Sequence, residues 1–377
     1  MPPIDPSEKP LKKPVWDLPT RLFHWTLVAT VATAAITGFV GPDSWTGFHA
    51  QVGYVIISLL FFRVIWGVIG PRYSRFSSFM FSRSENIQYF RKLISGKPPH
   101  HTGHNPAGAL MIFALLGSLL GLVITGLMVW GGEEKSGPLA SMVPYRLGHA
   151  AEEVHEVLAI TLLILIGLHV LGVLLESRLS GENLARSMVS GIKRIAPSSL
   201  PTGVTWYGSI LGIFILSIAV TVSLFGLPAW SSILPAATLP ASVSNTLYER
   251  ECGDCHHGFH PSLLPEKTWT TVMDGLSNHF GEDATLSAET KEELSRYLVE
   301  NSADHWDTKG ANLFRPPAPD DPLRITATKR WRRIHRELAP EIFKNPKIGG
   351  KTNCAACHGD AATGMFADAK IKVPEKK

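Results

Sequence analysis

The segment VHEVLAITLLILIGLHVLGVLL, residues 154–175, is apolar except for a few polar side chains, two of which are histidines. About twenty such residues suffice to cross a bilayer as a helix. His155 and His169 are 14 positions apart, nearly four helical turns, so both imidazoles lie on one face about 21 Å apart. Ionisable side chains inside a membrane are rare and usually face the bundle interior for a functional reason. The segment therefore predicts a transmembrane helix that presents a candidate metal ligand at each of two depths.

Four other apolar runs are long enough to cross a bilayer, and they are residues 22–40, 49–69, 107–130 and 206–227. The 377-residue chain is 45% hydrophobic, with a mean hydropathy of +0.10, but everything after Pro228 is polar, mixed in charge and rich in proline. This length favours two or three domains. We therefore expect a membrane half with five retained helices, followed by a soluble half.

Lysine and arginine are concentrated in the N-terminal segment and in the connections that follow the second and fourth apolar runs. The other two connections, residues 41–48 and 131–151, contain only Lys135 and Arg146. Cytoplasmic loops are enriched in these residues, so the N-terminus is expected in the cytoplasm and the soluble half outside it. The net charge of +4 largely reflects these loops and does not indicate nucleic-acid binding.

Histidines also stand at the starts of the first two apolar runs. His24 opens the first run on the inner side, level with His169, and His49 opens the second on the outer side, level with His155. These depths predict two non-covalent haem b sites with two imidazole ligands each, His49 with His155 and His24 with His169. The alternatives are that these histidines only form hydrogen bonds within the bundle, or that His149 replaces a ligand of the outer site.

Arg63 has the same spacing from His49 that His169 has from His155, so it lies on the same helix face as His49 and near the inner site. It is a candidate for binding a haem propionate. The alternative is an arginine that extends from the end of its helix to the membrane interface.

The soluble half contains ECGDCHHG, residues 251–258, and NCAACHGD, residues 353–360. Each includes Cys-x-x-Cys-His, the pattern by which two thiols attach a haem c covalently and the histidine ligates its iron. A thioredoxin-like redox pair would not need the histidine, and the two pairs are too far apart for an ordinary zinc ribbon. The predicted attachment and ligand residues are Cys252, Cys255, His256, Cys354, Cys357 and His358.

Each Cys-x-x-Cys-His run supplies only one axial ligand. His279 follows His256 at the same spacing by which His335 precedes His358. We predict these two as the second ligands of the first and second c sites. The competing candidates are His257, His260, His305, Met273 and Met365. The basic run around His335, residues 329–336, is either a solvated, propionate-pairing surface or a docking face for an acidic redox partner.

Residues 15–195 resemble the bacterial cytochrome b561 family, which includes the b-type subunits of nickel-iron hydrogenases. The resemblance rests on VWDLPTRLFHW (15–25), GHNPAGAL (103–110) and EEVHEVLA (152–159), among others. It implies a four-helix bundle with two haems b, ligated by His24, His49, His155 and His169, and exchange of electrons with quinol or quinone. Residues 245–375, with NCAACHGDAATGMF (353–366), resemble small periplasmic dihaem cytochromes c.

Together these patterns predict an all-α membrane protein with a four-helix haem b bundle, a fifth transmembrane helix and a small, mostly α-helical dihaem c domain. The predicted divisions are a cytoplasmic tail (1–20), the haem b domain (21–195), the fifth helix and linker (196–235) and the periplasmic domain (236–377). We expect two haems b and two haems c that connect quinol in the bacterial inner membrane with a soluble periplasmic redox protein. The alternatives are the membrane anchor of a hydrogenase or another dehydrogenase, and a haem-based sensor or oxygen-binding protein.

Overall fold

The computed structural model describes residues 11–96, 99, 101–195, 202–227, 229–230, 245–315 and 323–374. Two compact units are present. The first comprises residues 1–40, 48–126 and 152–230, and the second comprises residues 41–47, 127–151 and 231–377. The predicted domain boundaries at 195/196 and 235/236 involve residues outside the described ranges.

Within the described ranges, five helices are long and apolar enough to span a membrane, as predicted. They are α1 (Leu18–Phe39), α2 (Thr46–Ile69), α4 (Pro106–Gly132), α5 (Tyr145–Ser180) and α7 (Trp206–Thr221), which continues as a π-helical turn over Val222–Gly226. Helix α5 begins well before the apolar run that starts at position 154. The apolar run marks only the part of α5 that is suited to lipid. The helix itself extends further toward the N-terminus, through polar turns, and begins at Tyr145 directly after Pro144.

Helix α2 lies at the centre of the first unit. Over half of its most apolar window is buried, compared with less than a fifth for each of the other four membrane helices. One apolar cluster joins α2 to α1 and α7 through Leu59, Phe23 and Leu216. A second cluster joins α2 to α4 and α5. The exposed leucines and isoleucines of α5 are typical of a lipid-facing surface.

The fifth membrane helix packs into the bundle as well as reversing the direction of the chain. A Cβ atom at Gly212 would lie 2.4 Å from Pro19 Cγ and 2.7 Å from Trp66 Cη2. Only glycine therefore allows α7 to approach α1 and α2 this closely. The side-chain amide of Gln51 donates a hydrogen bond to the carbonyl of Ser223 at 2.9 Å, within the π-helical turn. Backbone groups inside a membrane need such partners.

Several elements outside the membrane helices were not predicted. Strand β1 (Leu11–Pro14) pairs antiparallel with β2 (Ile192–Ile195), so part of the predicted tail joins the first unit. Helix α3 (Arg83–Ile94) begins with a capping box formed by Ser82 and Glu85. Helix α6 (Leu184–Ser190) precedes β2. Neither strand shows the alternating apolar pattern that identifies a strand in sequence, because each is very short, and its partner lies far away along the chain.

The second unit is built from short helices around one apolar core that includes Tyr248, Trp269, Leu294 and Trp331. Its helices are α8 (Thr246–Gly253), α9 (Glu266–Asp274), α10 (Ala288–Glu300), α11 (Lys309–Phe314) and α12 (Lys329–Ile334). The sequence of the soluble half predicts short helices at about 243–256, 266–279, 288–300 and 328–338. The helix at 288–300 is confirmed, whereas those at 266–279 and 328–338 are shorter in the structure, and Gly275 caps α9. The first range begins on residues outside the described ranges, and helix α11 was not predicted.

Asp17 connects three parts of the first unit. Its carboxylate caps α1 by accepting from the Thr20 amide at 3.0 Å, and it also accepts from Trp66 Nε1 at 2.9 Å. The Ser74 hydroxyl donates to its other oxygen. The Asp17 side chain is buried, so each of these donors depends on it rather than on water.

We expect Asp17→Ala to lower the free energy of unfolding by about 3 kcal/mol, because it removes a helix cap and leaves the Trp66 indole N–H without its acceptor. Thermal unfolding in detergent, followed by circular dichroism, would measure the change. Asp17→Asn keeps one oxygen acceptor and should lose less. Equal midpoints for wild type and Asp17→Ala would contradict the role assigned to this carboxylate.

Glu134 is buried in the second unit, in the connection between α4 and α5. Burial, together with the neighbouring Asp368 carboxylate, raises the pKa of Glu134 from its ordinary value of 4.5 to about 7, although the amides of Ala369 and Asp368 partly oppose the shift. The folded protein therefore holds a proton that the unfolded chain releases between these two pH values. As a result, the contribution of this group to stability decreases as pH rises from 4.5 to 7.

The Glu134→Gln variant should therefore be about 3 kcal/mol more stable than the wild type at pH 8, with the advantage vanishing below pH 4.5. Unfolding midpoints measured across this pH range would show the convergence. The exposed Glu293→Gln substitution serves as the control and should change stability little at any pH. A constant difference between Glu134→Gln and wild type at all pH values would contradict the prediction.

Candidate haem sites

The predicted outer pair comes together between α2 and α5. The ring centroids of His49 and His155 are 6.2 Å apart. An imidazole nitrogen lies about 2 Å from a metal ion that it ligates, so two rings facing each other across one ion have centres about 6 Å apart. The observed spacing therefore fits two ligands of one iron.

A threonine on the preceding helix holds each of these imidazoles. Thr37 Oγ1 lies 2.9 Å from His49 Nδ1, and Thr125 Oγ1 lies 2.9 Å from His155 Nδ1. Both hydroxyls also donate to carbonyls of their own helices, Thr37 to Thr33 at 2.9 Å and Thr125 to Gly121 at 2.9 Å. Because the hydroxyl proton is already used, Nδ1 must be the donor to the threonine oxygen. Each Nε2 is thereby left with a free lone pair, as a metal ligand requires.

A glycine follows each threonine and brings its helix close to the ring. A Cβ atom at Gly38 would lie 3.2 Å from His49 Cε1, and one at Gly126 would lie 3.2 Å from His155 Cε1. The sequence reasoning missed these residues, although a signal was present. The tripeptide Ile-Thr-Gly occurs at 36–38 and again at 124–126. Helices α1 and α4 thus support the histidines of α2 and α5 in the same way.

The predicted inner pair consists of His24 on α1 and His169 on α5, and its role toward haem stays a prediction. Among the described residues, His24 Nδ1 is buried without a hydrogen-bond partner. Arg63 is also buried, where its guanidinium donates to the Ser74 carbonyl at 3.0 Å and lies 4.4 Å from the centre of the Phe76 ring. Arg63 is therefore held inside the protein, and its role toward a propionate stays a prediction.

The two histidine pairs predicted as iron ligands in the soluble half have ring-centroid separations close to that of His49 and His155. The centroids of His256 and His279 are 6.4 Å apart, and those of His335 and His358 are 6.3 Å apart. His256 Nδ1 lies 2.8 Å from the carbonyl of His257, and His335 Nδ1 lies 2.9 Å from that of Trp331. A carbonyl accepts only, so these nitrogens are donors and Nε2 is left free.

Burial lowers the pKa of His279, His335 and His358, which favours the neutral imidazole that binds a metal. Two of the competing candidates have other contacts. His260 Nδ1 lies 2.8 Å from the Ser262 hydroxyl, and Met273 is buried in the apolar core. The geometry thus fits the predicted ligand pairs of both c sites, while their role as iron ligands stays a prediction.

The fold and these sites define a class of protein. Five membrane helices, paired imidazoles within the bundle and two Cys-x-x-Cys-His runs in a small helical unit are the features of a multi-pass membrane cytochrome that carries haem b and haem c.

Comparison with known proteins agrees with this class. The family described as prokaryotic cytochrome b561 matches residues 15–191, and the family described as dihaem cytochrome c matches residues 248–366. The C-terminal half therefore belongs to the dihaem cytochromes c, and the N-terminal half is similar to the prokaryotic cytochrome b561 family. Its role is electron transfer at a membrane.

Individual relatives correspond to one half or the other. A probable Ni/Fe-hydrogenase B-type cytochrome subunit of Cupriavidus necator is 25% identical over 209 residues, which are 48% of this chain and 86% of the relative. The probable Ni/Fe-hydrogenase 1 B-type cytochrome subunit of Escherichia coli is 24% identical over 35% of this chain and 65% of its own length.

Among solved structures, a diheme cytochrome c from Rhodobacter sphaeroides is 38% identical, covering 33% of this chain and 98% of its own, with a TM-score of 0.28. The diheme cytochrome c of Shewanella baltica is 30% identical and covers 34% of this chain and 93% of its own, with a TM-score of 0.28.

We expect Thr37→Val and Thr125→Val to weaken haem b retention by about tenfold, because valine keeps the shape of threonine but removes the acceptor of the histidine Nδ1 proton. The ratio of haem b to haem c, measured as pyridine haemochromes on the purified protein, would report the loss. Thr161→Val is the matched control, since Thr161 is an exposed residue of α5 whose hydroxyl donates to its own helix. Unchanged ratios in all three variants would contradict this assignment.

Proposed function

We propose that this protein oxidises quinol in the bacterial inner membrane and passes the electrons through two b sites and two c sites to a soluble periplasmic acceptor. The observation that carries the proposal is the pairing of imidazoles. Helix α5 offers a ligand at each of two depths, and His49 faces the outer one at a spacing that suits a shared iron. Two further imidazole pairs lie in the same chain beside the Cys-x-x-Cys-His runs.

The proposed position of each half relative to the membrane follows from the distribution of lysine and arginine and from where haem c is attached. Lysine and arginine are concentrated in the connections expected on the cytoplasmic side. An odd number of membrane helices then carries the C-terminal half to the opposite side. Attachment of haem c outside the cytoplasm is the bacterial arrangement, and it agrees with that orientation.

The residues of this chain favour electron transfer over oxygen chemistry. Bound haem would supply reversible one-electron chemistry. At each site the two imidazoles would hold the iron, so neither oxygen nor another small ligand could bind without displacing one of them. The threonine and carbonyl acceptors fix the ring orientations, which keeps the same ligands in both oxidation states. This arrangement disfavours the sensor and oxygen-binding alternative.

A direct test adds a quinol analogue to the purified protein without oxygen and follows the visible bands of haem b and haem c. We expect both types to become reduced, in a ratio of two b to two c by pyridine haemochrome, with a reduced spectrum that carbon monoxide leaves unchanged. The variant His155→Ala should lose quinol-driven reduction of haem c, while dithionite still reduces it. Failure of the wild type to accept electrons from quinol would overturn the proposal.

The second candidate function is the membrane anchor of a dehydrogenase, because the curated relatives are named as B-type subunits of Ni/Fe-hydrogenases. Purification from the native membrane under mild conditions distinguishes the two functions. A large metal-containing partner that reduces the b sites in the presence of its own substrate would favour the anchor. Purification alone together with reduction by quinol would favour the proposed quinol oxidation.

A further inference from the structure

Two connections between membrane helices belong to the second unit, and we refer to them together as the rim segments. The first is residues 41–47, which includes the first two residues of α2. The second is residues 127–151, which runs from the end of α4, through the connection, into the first turns of α5. Three consecutive charged residues of the second rim segment, Glu133, Glu134 and Lys135, are buried. Buried charges are costly unless they are paired, so their partners indicate what the rim segments hold.

Each of these three residues has a partner in the dihaem domain. Lys309 Nζ lies 3.6 Å from Glu133 Oε2 and 2.5 Å from Asp368 Oδ2. Lys135 Nζ lies 2.7 Å from Asp307 Oδ2. These residues, with Glu134, form what we call the rim ion cluster.

Backbone groups complete the rim ion cluster. Glu134 accepts hydrogen bonds from the amides of Asp368 and Ala369, both at 3.2 Å. The amide of Tyr145 donates to Asp307 at 2.9 Å. Lys135 adopts a φ of 48°, in the left-handed region that non-glycine residues seldom occupy. The loop therefore holds a conformation that the ion pair with Asp307 helps to stabilise.

The other rim segment contacts the same part of the dihaem domain. A Cβ atom at Gly47 would lie 3.7 Å from the Cβ of Ala369. The turn at Asp43–Trp45 packs against the turn at Asp368–Lys370. Residues 368–370 are therefore contacted by both rim segments.

Residues 367–372 are in turn bonded to the second Cys-x-x-Cys-His run. The Gly359 amide donates to the carbonyl of Lys370 at 3.2 Å, and the Lys372 amide donates to that of Cys357 at 2.8 Å. Asp360 accepts from the amide of Ala367 at 2.9 Å. Any displacement of this segment from the rim would thus move the second c site with it.

The first c site differs in its exposure. In the first run Cys252 is partly buried and Cys255 is exposed, whereas Cys354 and Cys357 of the second run are both partly buried. Phe280, next to the predicted ligand His279, is 46% exposed, and the Arg324 guanidinium lies 4.8 Å from its ring centre. An exposed aromatic ring beside a cation is the kind of surface that a soluble protein partner can contact.

We propose that the second c site, at Cys354, Cys357 and His358, is the first of the two to receive electrons from the membrane bundle, and that the rim ion cluster positions it for that transfer. The first c site then delivers electrons to the soluble acceptor. Covalent geometry supports this order, because His49 of the outer b site stands only two positions after Gly47, a reach of about 7 Å. The inference rests on the proposed function, since it assigns an order within that electron path.

A designed disulfide tests the contact without relying on activity. The Cβ separation at Gly47 and Ala369 lies within the range of disulfides. The double variant Gly47→Cys with Ala369→Cys should form an intramolecular disulfide in the full-length protein, detected by mass spectrometry. The matched control, Gly47→Cys with the exposed Ala288→Cys on α10, should not form one. Absence of the first disulfide, or its formation with loss of haem c reduction by quinol, would overturn the positioning role.

A charge substitution tests the cluster kinetically. After a pulse of quinol analogue, Lys309→Met should slow haem c reduction by about tenfold, because it removes the cation that bridges Asp368 of the dihaem domain and the buried Glu133 of the rim segment. The rate of haem b reduction should not change, and Lys309→Arg should restore the haem c rate. Lys291→Met is the control, since Lys291 pairs with Asp274 at an exposed position. A rate for Lys309→Met equal to that of Lys291→Met would contradict the proposal.

The order of the two c sites needs a third comparison in the full-length protein. With Cys252→Ala and Cys255→Ala, the remaining c site should be reduced by quinol at the wild-type rate, while transfer to a soluble acceptor is lost. With Cys354→Ala and Cys357→Ala, reduction of the remaining site should slow by about tenfold or more. Equal or reversed rates would overturn the order. A wild type whose b sites accept electrons but never reduce haem c would instead contradict the proposed function itself.

Discussion

An imidazole that ligates a metal through Nε2 keeps its proton on Nδ1, and an acceptor for that proton fixes the orientation of the ring. In the bundle, Thr37 and Thr125 are those acceptors, and their own protons are taken by helix carbonyls. These contacts bring α1 against α2 and α4 against α5, with a glycine beside each threonine where the ring comes close to the helix. The bundle thus contains two helix pairs of the same design, and in the soluble unit backbone carbonyls accept from His256 and His335.

The position of α2 follows from this arrangement. It carries His49 near one end and the buried Arg63 nearer the other, and it packs against the other four membrane helices through two apolar clusters. Helix α7 fills the remaining groove between α1 and α2, where Gly212 permits close approach. Asp17 then joins the start of α1 to Trp66 and Ser74. The apolar packing and this polar network together stabilise the geometry that the ligand pairs need.

The buried charged residues of the second unit hold the connection between α4 and α5 against the dihaem domain. Placing Glu133, Glu134 and Lys135 in an interior is unfavourable unless each finds a partner, and these partners come from the dihaem domain, far along the chain. Apolar packing of similar area tolerates several registers, whereas paired charges tolerate few. Such a cluster is therefore suited to fixing one c site in a single position while the other stays accessible.

Much of the molecule was predictable because its chemistry is encoded locally. Five apolar runs, two Cys-x-x-Cys-His runs and two histidines spaced by nearly four turns of one helix each lie within a short segment. They predict the membrane helices, the candidate covalent haem sites and the shared face of α5. The pairing of His49 with His155 followed from depth alone. The families and the membrane electron-transfer role agree with that interpretation.

Other features depend on residues that meet only after folding. The β1–β2 pair, the packing of α7 through Gly212 and the rim ion cluster each join segments far apart in sequence, so no local pattern identifies them. The repeated Ile-Thr-Gly is visible in the sequence, but its meaning depends on which ring each threonine faces. The sequence by itself therefore determined which side chains can hold haem and which segments cross the membrane. Tertiary structure decided which groups orient those side chains, because a hydrogen bond or ion pair is defined by distance in space and not by spacing along the chain.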